Sequence, residues 1–288
     1  MPDIRSVAVL GIGTLGSQIA FHAAFHGRRV TAYDISETAL DASRRRLAGL
    51  PAAYVDDAVP GATPSSTAAA LASLRITTDL AEAVRDADLV IEAAPEVLSV
   101  KRELHHAVSR LARDDAIIAT NSSYMLPSDL VDVVHLPGRF LALHFANRIW
   151  RYNTAEIMTS PSTDAAAVDA ARRYAADTGM LTIVMQRERS GYVLNTMLAP
   201  FMRAAAELLV GGYADVETID ATWRTATGSP YGPFQIYDAI GLRNSYATAR
   251  MSADPKVRAW AEYLHENYVR HGRTGVETGE GFYRYPSA

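Results

Sequence analysis

Three glycines, at residues 11, 13 and 16, stand where an apolar run gives way to an alanine-rich, helix-like stretch, in the order Gly11-Ile12-Gly13-Thr14-Leu15-Gly16. In that setting the first glycine permits a tight turn, the second lets backbone approach a pyrophosphate, and the third lets helix and strand pack closely. The unpaired N–H groups that open the helix would hold the phosphates, so Thr14 and Leu15 count with the glycines as cofactor-binding positions. A bare turn is the alternative. Eighteen residues beyond Gly16 a second apolar run ends at Asp34. A carboxylate there can accept hydrogen bonds from the adenosine ribose and would repel the extra phosphate of NADP. Ile35 follows where an NADP enzyme often carries Arg, so NAD is the expected cofactor. The alternative for Asp34 is to cap the helical stretch that starts at Ser36.

Other chemistries are poorly supplied. Cysteine is absent, which removes disulfides, thiol nucleophiles and thiolate metal sites and leaves redox chemistry to a cofactor. His22 and His26 are four apart on the first helix, a spacing that can chelate a metal. No Glu separates them in the zinc-protease arrangement and no third ligand is near, so no metal is expected. A net charge of -4 without a long block of one sign gives no footprint for nucleic acid or an anionic membrane. The basic run Arg44-Arg45-Arg46 reads as a solvated helix face.

The elements that must position these groups follow from hydrophobic periodicity. Short apolar segments at residues 7–10, 30–33, 89–91, 116–119, 140–143 and 181–185 alternate with helical stretches, the pattern of a largely parallel α/β sheet. They are continuous rather than alternating, as strands covered on both faces should be. Residues 60–67 read as a polar loop inside a helical insertion. Beyond Ser190 the apolar residues, Leu194, Met197, Leu198, Phe201, Ala205, Leu208 and Leu209, recur at helical spacing. A chain of 288 residues can bury two cores. The expectation is a Rossmann-type doubly wound domain over 1–188 and an all-helical domain over 189–288. The opening Met1-Pro2-Asp3-Ile4 runs straight into a strand-like segment with no signal or transit features, which makes the cytoplasm the expected location.

Several further stretches resemble the 3-hydroxyacyl-CoA dehydrogenase family over nearly the full length. They are residues 88–96 (DLVIEAAPE), 121–123 (NSS), 144–147 (HFAN), 155–156 (AE), 191–195 (GYVLN), 232–234 (GPF) and 278–283 (TGEGFY). Within the family the fit is to the diketoreductase branch, suggested by residues 15–21, 144–147 and 153–156. That branch reduces small β-keto and β,δ-diketo esters with NADH. The resemblance implies a catalytic dyad at His144 and Glu156. Taken alone, His144 reads as a packed histidine and Glu156 as a surface charge. The resemblance also implies that Ser123 and Asn195 hydrogen-bond the substrate oxygen and help position the nicotinamide. It places Glu96, Lys101 and Asn147 among cofactor contacts, although Lys101 alone reads as a solvated helix residue.

The chain departs from the family where CoA would be held. The helical hairpin after the second strand uses a Lys and a Ser in acyl-CoA enzymes. Here residues 43–74 contain no Lys and include Asp56-Asp57, with Arg44, Arg45 or Arg46 as the available substitutes. After His144 the usual Phe-Phe-Asn-Pro becomes Phe145-Ala146-Asn147-Arg148, followed by Trp150 and Arg151. The expected function is NADH-dependent reduction of a 3-oxo ester or acyl compound. The alternatives are a true L-3-hydroxyacyl-CoA dehydrogenase of fatty-acid metabolism and a non-catalytic, crystallin-like nucleotide-binding protein. The helical region carries more apolar surface than one inward stripe uses, so it is expected to form a homodimer interface and to close one side of the site.

Overall fold

The computed structural model describes residues 3–285. Met1 and Pro2 of the opening segment, and residues 286–288 of the expected helical region, lie outside the described residues. The chain divides into two compact units between Val193 and Leu194.

The first unit begins with β1 (Ser6–Leu10), every residue of which is buried. Val7 and Val9 enter the core on one face, and Ala8 and Leu10 enter it on the other. That is the two-residue period of a strand with helices on both sides. The order continues through α1 (Thr14–Phe25), β2 (Arg29–Tyr33), α2 (Glu37–Asp56), α3 (Pro64–Ser73), β3 (Arg75–Thr77), α4 (Leu80–Val84), β4 (Leu89–Glu92), α5 (Leu98–Leu111), β5 (Ile117–Thr120), β6 (Phe140–Phe145), β7 (Thr154–Thr159), α6 (Ala165–Asp177) and β8 (Leu181–Val184). These strands form one sheet in the order β3-β2-β1-β4-β5-β6-β7-β8. The first six run parallel, the arrangement of a doubly wound nucleotide-binding sheet whose crevice opens between β1 and β4.

The sheet is largely parallel, as expected, with two strands reversed. β7 is antiparallel to β6, and β8 is parallel to β7, so both run against the other six. β3 and β7 were not among the six apolar segments: β3 has three residues, and β7 carries Glu156 in its centre. β8 lies at the sheet edge with Leu181 62% exposed, so it lacks the two-sided cover expected for a continuous apolar run. The polar loop expected at 60–67 is shorter, because Thr63 caps α3 in a capping box with Ser66 and Pro64 takes the first helical position.

The second unit has five helices among its described residues, α7 (Leu194–Val210), α8 (Val216–Thr227), α9 (Pro233–Ile240), α10 (Leu242–Ala249) and α11 (Pro255–Asn267). Its core gathers Phe234, Tyr237, Leu242, Trp260 and Leu264. Two buried carboxylates organise it. Asp220 accepts from the N–H groups of Phe234 (2.9 Å) and Gln235 (3.1 Å), the orphan donors that open α9. Asp238 accepts from the N–H groups of Phe282 and Tyr283, each at 2.9 Å. A Cβ on Gly232 would lie 2.2 Å from Asp220 Cγ, and one on Gly281 would lie 2.0 Å from Asp238 Oδ1. The motifs around Gly232 and Gly281 are therefore packing requirements of this unit. Among the described residues no helix is long and apolar enough to cross a membrane.

Candidate functional site

The glycine loop joins β1 to α1, and its conformation follows from where each glycine sits. Gly11 has φ +91, and a Cβ there would meet the Ala93 carbonyl oxygen at 2.8 Å. A Cβ on Gly16 would fall 1.9 Å from the Gly11 carbonyl oxygen. Around Gly13 nothing lies within 4 Å, so its lack of a side chain keeps space open outside the protein rather than inside it. No side chain caps α1 and no acidic residue stands in its first turn. The orphan N–H groups of its first turn, Thr14 and Leu15 among them, are thus left without a capping side chain, which suits a pyrophosphate.

Polar side chains fix the loop from behind. Asp34 Oδ2 accepts from the Ile12 N–H at 2.9 Å, while the Ile12 carbonyl accepts from Ser43 Oγ at 2.7 Å and Ser17 Oγ at 3.1 Å. Asp34 does not cap α2; Ser36 does, accepting from the Ala39 N–H. Asp34 stays half-exposed just past the end of β2. These residues fit a dinucleotide.

The second group forms across β6 and β7, whose register sets His144 directly opposite Glu156. Both side chains are buried, and His144 Nδ1 lies 2.9 Å from Glu156 Oε2. A buried carboxylate accepts, so Nδ1 carries the proton donated to Glu156. Nε2, the nitrogen left over, lies 3.2 Å from Ser123 Oγ. Glu156 Oε1 accepts from the Val193 N–H at 3.0 Å. Glu156 is therefore not the surface charge that its local sequence allows, while His144 is packed and hydrogen-bonded as its local sequence alone suggests.

Ser123 is held by its neighbours. Glu96 accepts from Ser122 Oγ in a short hydrogen bond and from the N–H groups of Ser123 and Tyr124, each at 3.1 Å. Asn121 Oδ1 accepts from the Phe145 N–H at 2.9 Å, which ties the same loop to the end of β6. Lys101 is buried rather than solvated. Its Nζ donates to Glu92 Oε1 (2.6 Å) and to the Ala94 carbonyl (3.0 Å), and it lies 3.4 Å from Glu96 Oε2. Glu92 also accepts from Thr120 Oγ1 at 2.7 Å and His105 Nε2 at 3.2 Å. Burial alone would push the Glu92 carboxyl up, but the His105 hydrogen bond and the charge of Lys101 outweigh it and hold the group at about 2.

The loop after β6 is the departure noted above. Asp57, at the end of α2, accepts from Trp150 Nε1 (2.7 Å), Arg148 Nη2 (2.8 Å) and Arg151 Nη1 (2.8 Å). Gln18 Oε1 accepts from the Arg148 N–H at 2.7 Å, and Arg148 takes φ +56. Asp57, which looked unfavourable to a phosphate, is thus an anchor for this loop. Asn147 lies exposed on it. Asn195 is the second residue of α7, in the other unit. His22 offers no free nitrogen to a metal: Nδ1 meets Tyr54 Oη at 2.7 Å and Nε2 meets the Thr178 carbonyl at 2.8 Å. Burial pushes its ring down to about 3, so it is neutral. Sequence reasoning missed Glu92, His105, Thr120, Asn121, Ser122 and Tyr192 as site residues. Glu92, Asn121, Ser122 and Tyr192 lie inside motifs it singled out, while His105 and Thr120 carried no signal.

Comparison with known proteins places nearly the whole described chain in one family. Residues 6–189 match the family model described as 3-hydroxyacyl-CoA dehydrogenase, NAD binding domain, and residues 191–285 match the model of that family's C-terminal domain. A 3-hydroxybutyryl-CoA dehydrogenase of Mycobacterium tuberculosis is 31% identical, covering 98% of this chain and 99% of its own. Among solved structures, a diketoreductase described as a substrate-directed dual catalyst of dicarbonyl compounds is 52% identical with a TM-score of 0.92, covering 99% of this chain and 100% of its own. An (S)-3-hydroxybutyryl-CoA dehydrogenase from Ralstonia eutropha is 28% identical with a TM-score of 0.78, covering 99% of this chain and 100% of its own.

The Glu92 network generates a prediction with a defined sign. Its folded carboxyl is held at about 2 against an ordinary 4.5, so its contribution is complete above 4.5 and is lost as pH falls toward 2. Glu92→Gln removes the nearer, fully buried counter-charge of Lys101, leaving only Glu96 at 3.4 Å, and should cost about 3 kcal/mol at neutral pH. In urea unfolding the gap from the parent should narrow on acidification below 4.5. A gap that holds its full size toward pH 2, or no gap at neutral pH, contradicts this account of the cluster.

Proposed function

The chain belongs to the 3-hydroxyacyl-CoA dehydrogenase family and is an NAD-dependent oxidoreductase of the CH–OH/C=O type, and from that premise we propose that it reduces a β-keto or diketo ester to the 3-hydroxy product, reversibly, with NADH. The observation that carries the reading is the direction of the dyad: Nδ1 of His144 is committed to Glu156, which leaves Nε2 beside Ser123 as the proton-transferring atom. When bound at the glycine loop, NADH supplies the hydride. His144 Nε2 gives a proton to the ketone oxygen in reduction and takes it back from the hydroxyl in oxidation. Glu156 fixes the tautomer and stabilises the imidazolium form. Ser123 donates to the substrate oxygen as negative charge develops there. Asn195 keeps, within this proposal, the similar role that the family resemblance gives it. Gly11, Gly13, Thr14, Leu15, Gly16 and Asp34 hold the dinucleotide, and Glu96, Lys101 and Asn147 complete the proposed cofactor set. Lys101 acts there through Glu96.

Two features favour an ester over a CoA thioester. The hairpin that serves CoA in acyl-CoA enzymes lacks Lys, and its Arg44 is engaged with Asp41 at 2.6 Å and Glu37 at 3.8 Å. The diketoreductase is also the solved neighbour with the higher identity among those described above. The test is kcat/KM with NADH for ethyl 3-oxobutanoate beside acetoacetyl-CoA, repeated with NADPH. The ester should be preferred, NADH should be preferred, and Asp34→Ala should narrow the cofactor ratio. A preference for the thioester would assign the chain to acyl-CoA oxidation, and a preference for NADPH would remove Asp34 from the ribose.

For assembly we propose residues 1–188 as the cofactor domain and 189–288 as the dimerisation and substrate domain of a homodimer. Along α7, Met202 and Ala205 are buried while Met197 is 70% and Leu208 44% exposed. A groove of about 970 Å³ on the second unit, lined by Met202, Val210, Tyr213, Tyr237, Val257 and Trp260, continues that apolar surface. A second copy of the chain is the proposed occupant. Sedimentation at micromolar concentration should give twice the 31.2 kDa chain mass, and a clean monomer with full activity would refute the dimer.

A further inference from the structure

Residues 189–193 form a strap tied to the loop that carries Ser123 and to Glu156 on β7. Ser190 Oγ donates to the Tyr124 carbonyl at 2.7 Å, the Gly191 N–H donates to the Ser123 carbonyl at 3.2 Å, and the Val193 N–H donates to Glu156 Oε1 at 3.0 Å. At its centre Tyr192 has φ +50, a left-handed conformation that disfavours bulky side chains. A residue held there against its steric preference indicates that the side chain is needed, since Gly or Asn would adopt the same turn more readily. The Tyr192 side chain is fully buried. Its ring stacks on the His144 imidazole, with centroids 4.5 Å apart and planes at 12°. Its hydroxyl donates to the Ser122 carbonyl at 3.0 Å, one residue from Ser123. Burial pushes the phenol up, so the hydroxyl keeps its proton for that bond.

We propose that Tyr192 is a positioning residue of the reaction: its ring fixes the plane of His144 while its hydroxyl fixes the loop that carries Ser123, so that both point at one substrate oxygen. This rests on the dyad reading of His144. Glu156 fixes the ring at one nitrogen but leaves it free to tilt about that bond, and a stacked ring removes that freedom. The strained turn is what brings a tyrosine against the imidazole face while the preceding glycine bonds to Ser123.

The experiment compares Tyr192→Phe and Tyr192→Leu by steady-state reduction of ethyl 3-oxobutanoate, by NADH affinity, and by the His144 imidazole resonance, assigned through its loss in His144→Gln. Tyr192→Leu should lower kcat about 30-fold through misalignment, with KM and NADH affinity nearly unchanged. Tyr192→Phe keeps the ring and loses one hydrogen bond, so kcat should fall only about 3-fold. The ring-current shift of the His144 resonance should persist in Tyr192→Phe and disappear in Tyr192→Leu. Tyr192→Met, which fills more of the volume, should match the leucine variant and replaces it if that variant does not fold. Full kcat in the leucine or methionine variant, or a loss carried by KM and NADH affinity, would overturn the proposal. So would an unaltered His144 resonance. A parent chain inert toward both ester and thioester would refute the functional reading instead, and the resonance would still decide whether Tyr192 holds His144.

Discussion

One pairing underlies the proposed chemistry of this protein: the antiparallel register of β6 and β7 that sets His144 across from Glu156. Side chains alternate faces along a strand, so a slip of one residue in β7 would turn Glu156 away and bring Ala155 or Ile157 opposite the imidazole. The register is held from both ends. β7 also pairs with β8, and the loop that reverses the chain between β6 and β7 is anchored by Gln18 on α1 and by Asp57, which caps the end of α2. Two helices of the nucleotide-binding half therefore secure the turn that creates the dyad. The positive φ of Arg148 is a cost of that reversal, offset by its bonds to Gln18 and Asp57.

Buried charge does similar work beneath the loop that carries Ser123. The Glu92 carboxylate is surrounded by Lys101, His105, Thr120 and the Ala94 N–H, and its backbone carbonyl accepts from the Asn121 N–H at 2.7 Å. Removing such a charge from water is expensive, and only full pairing makes it tolerable. One atom stays outside this economy: His105 Nδ1 is buried without a hydrogen-bond partner. The return is geometric. With Glu92 fixed, Lys101 is fixed and reaches Glu96, which gathers Ser122, Ser123 and Tyr124, so Ser123 meets His144 from a loop with little freedom.

What the sequence revealed depended on how local each feature is. The glycine loop and Asp34 lie within one strand-helix-strand unit, so their spacing pointed to a dinucleotide site, and Asp34 followed by Ile35 pointed to NAD. His144 and Glu156 meet only through strand register, which no spacing of twelve residues can show, and resemblance to known sequences supplied them. The Glu92 cluster combines β4, α5 and β5, and Lys101 could not be told from a surface lysine until its burial was seen. Tyr192 lay within a recognised motif, yet its role depends on a positive φ that the residue type disfavours. The glycines near residues 232 and 281 carried family signal of a different kind, because they make room for Asp220 and Asp238 in the helical core.

The central claim is that His144 and Glu156 act as one unit at the carbonyl and not at the dinucleotide. A double-mutant cycle tests it most directly: kcat for NADH-driven ketone reduction, and NADH affinity, in His144→Ala, Glu156→Ala and the double variant. Each single change should remove most turnover, the double variant should be little worse than His144→Ala alone, and NADH should bind nearly as in the parent. Losses that multiply in the double variant, or a single variant with unimpaired turnover, would contradict the account.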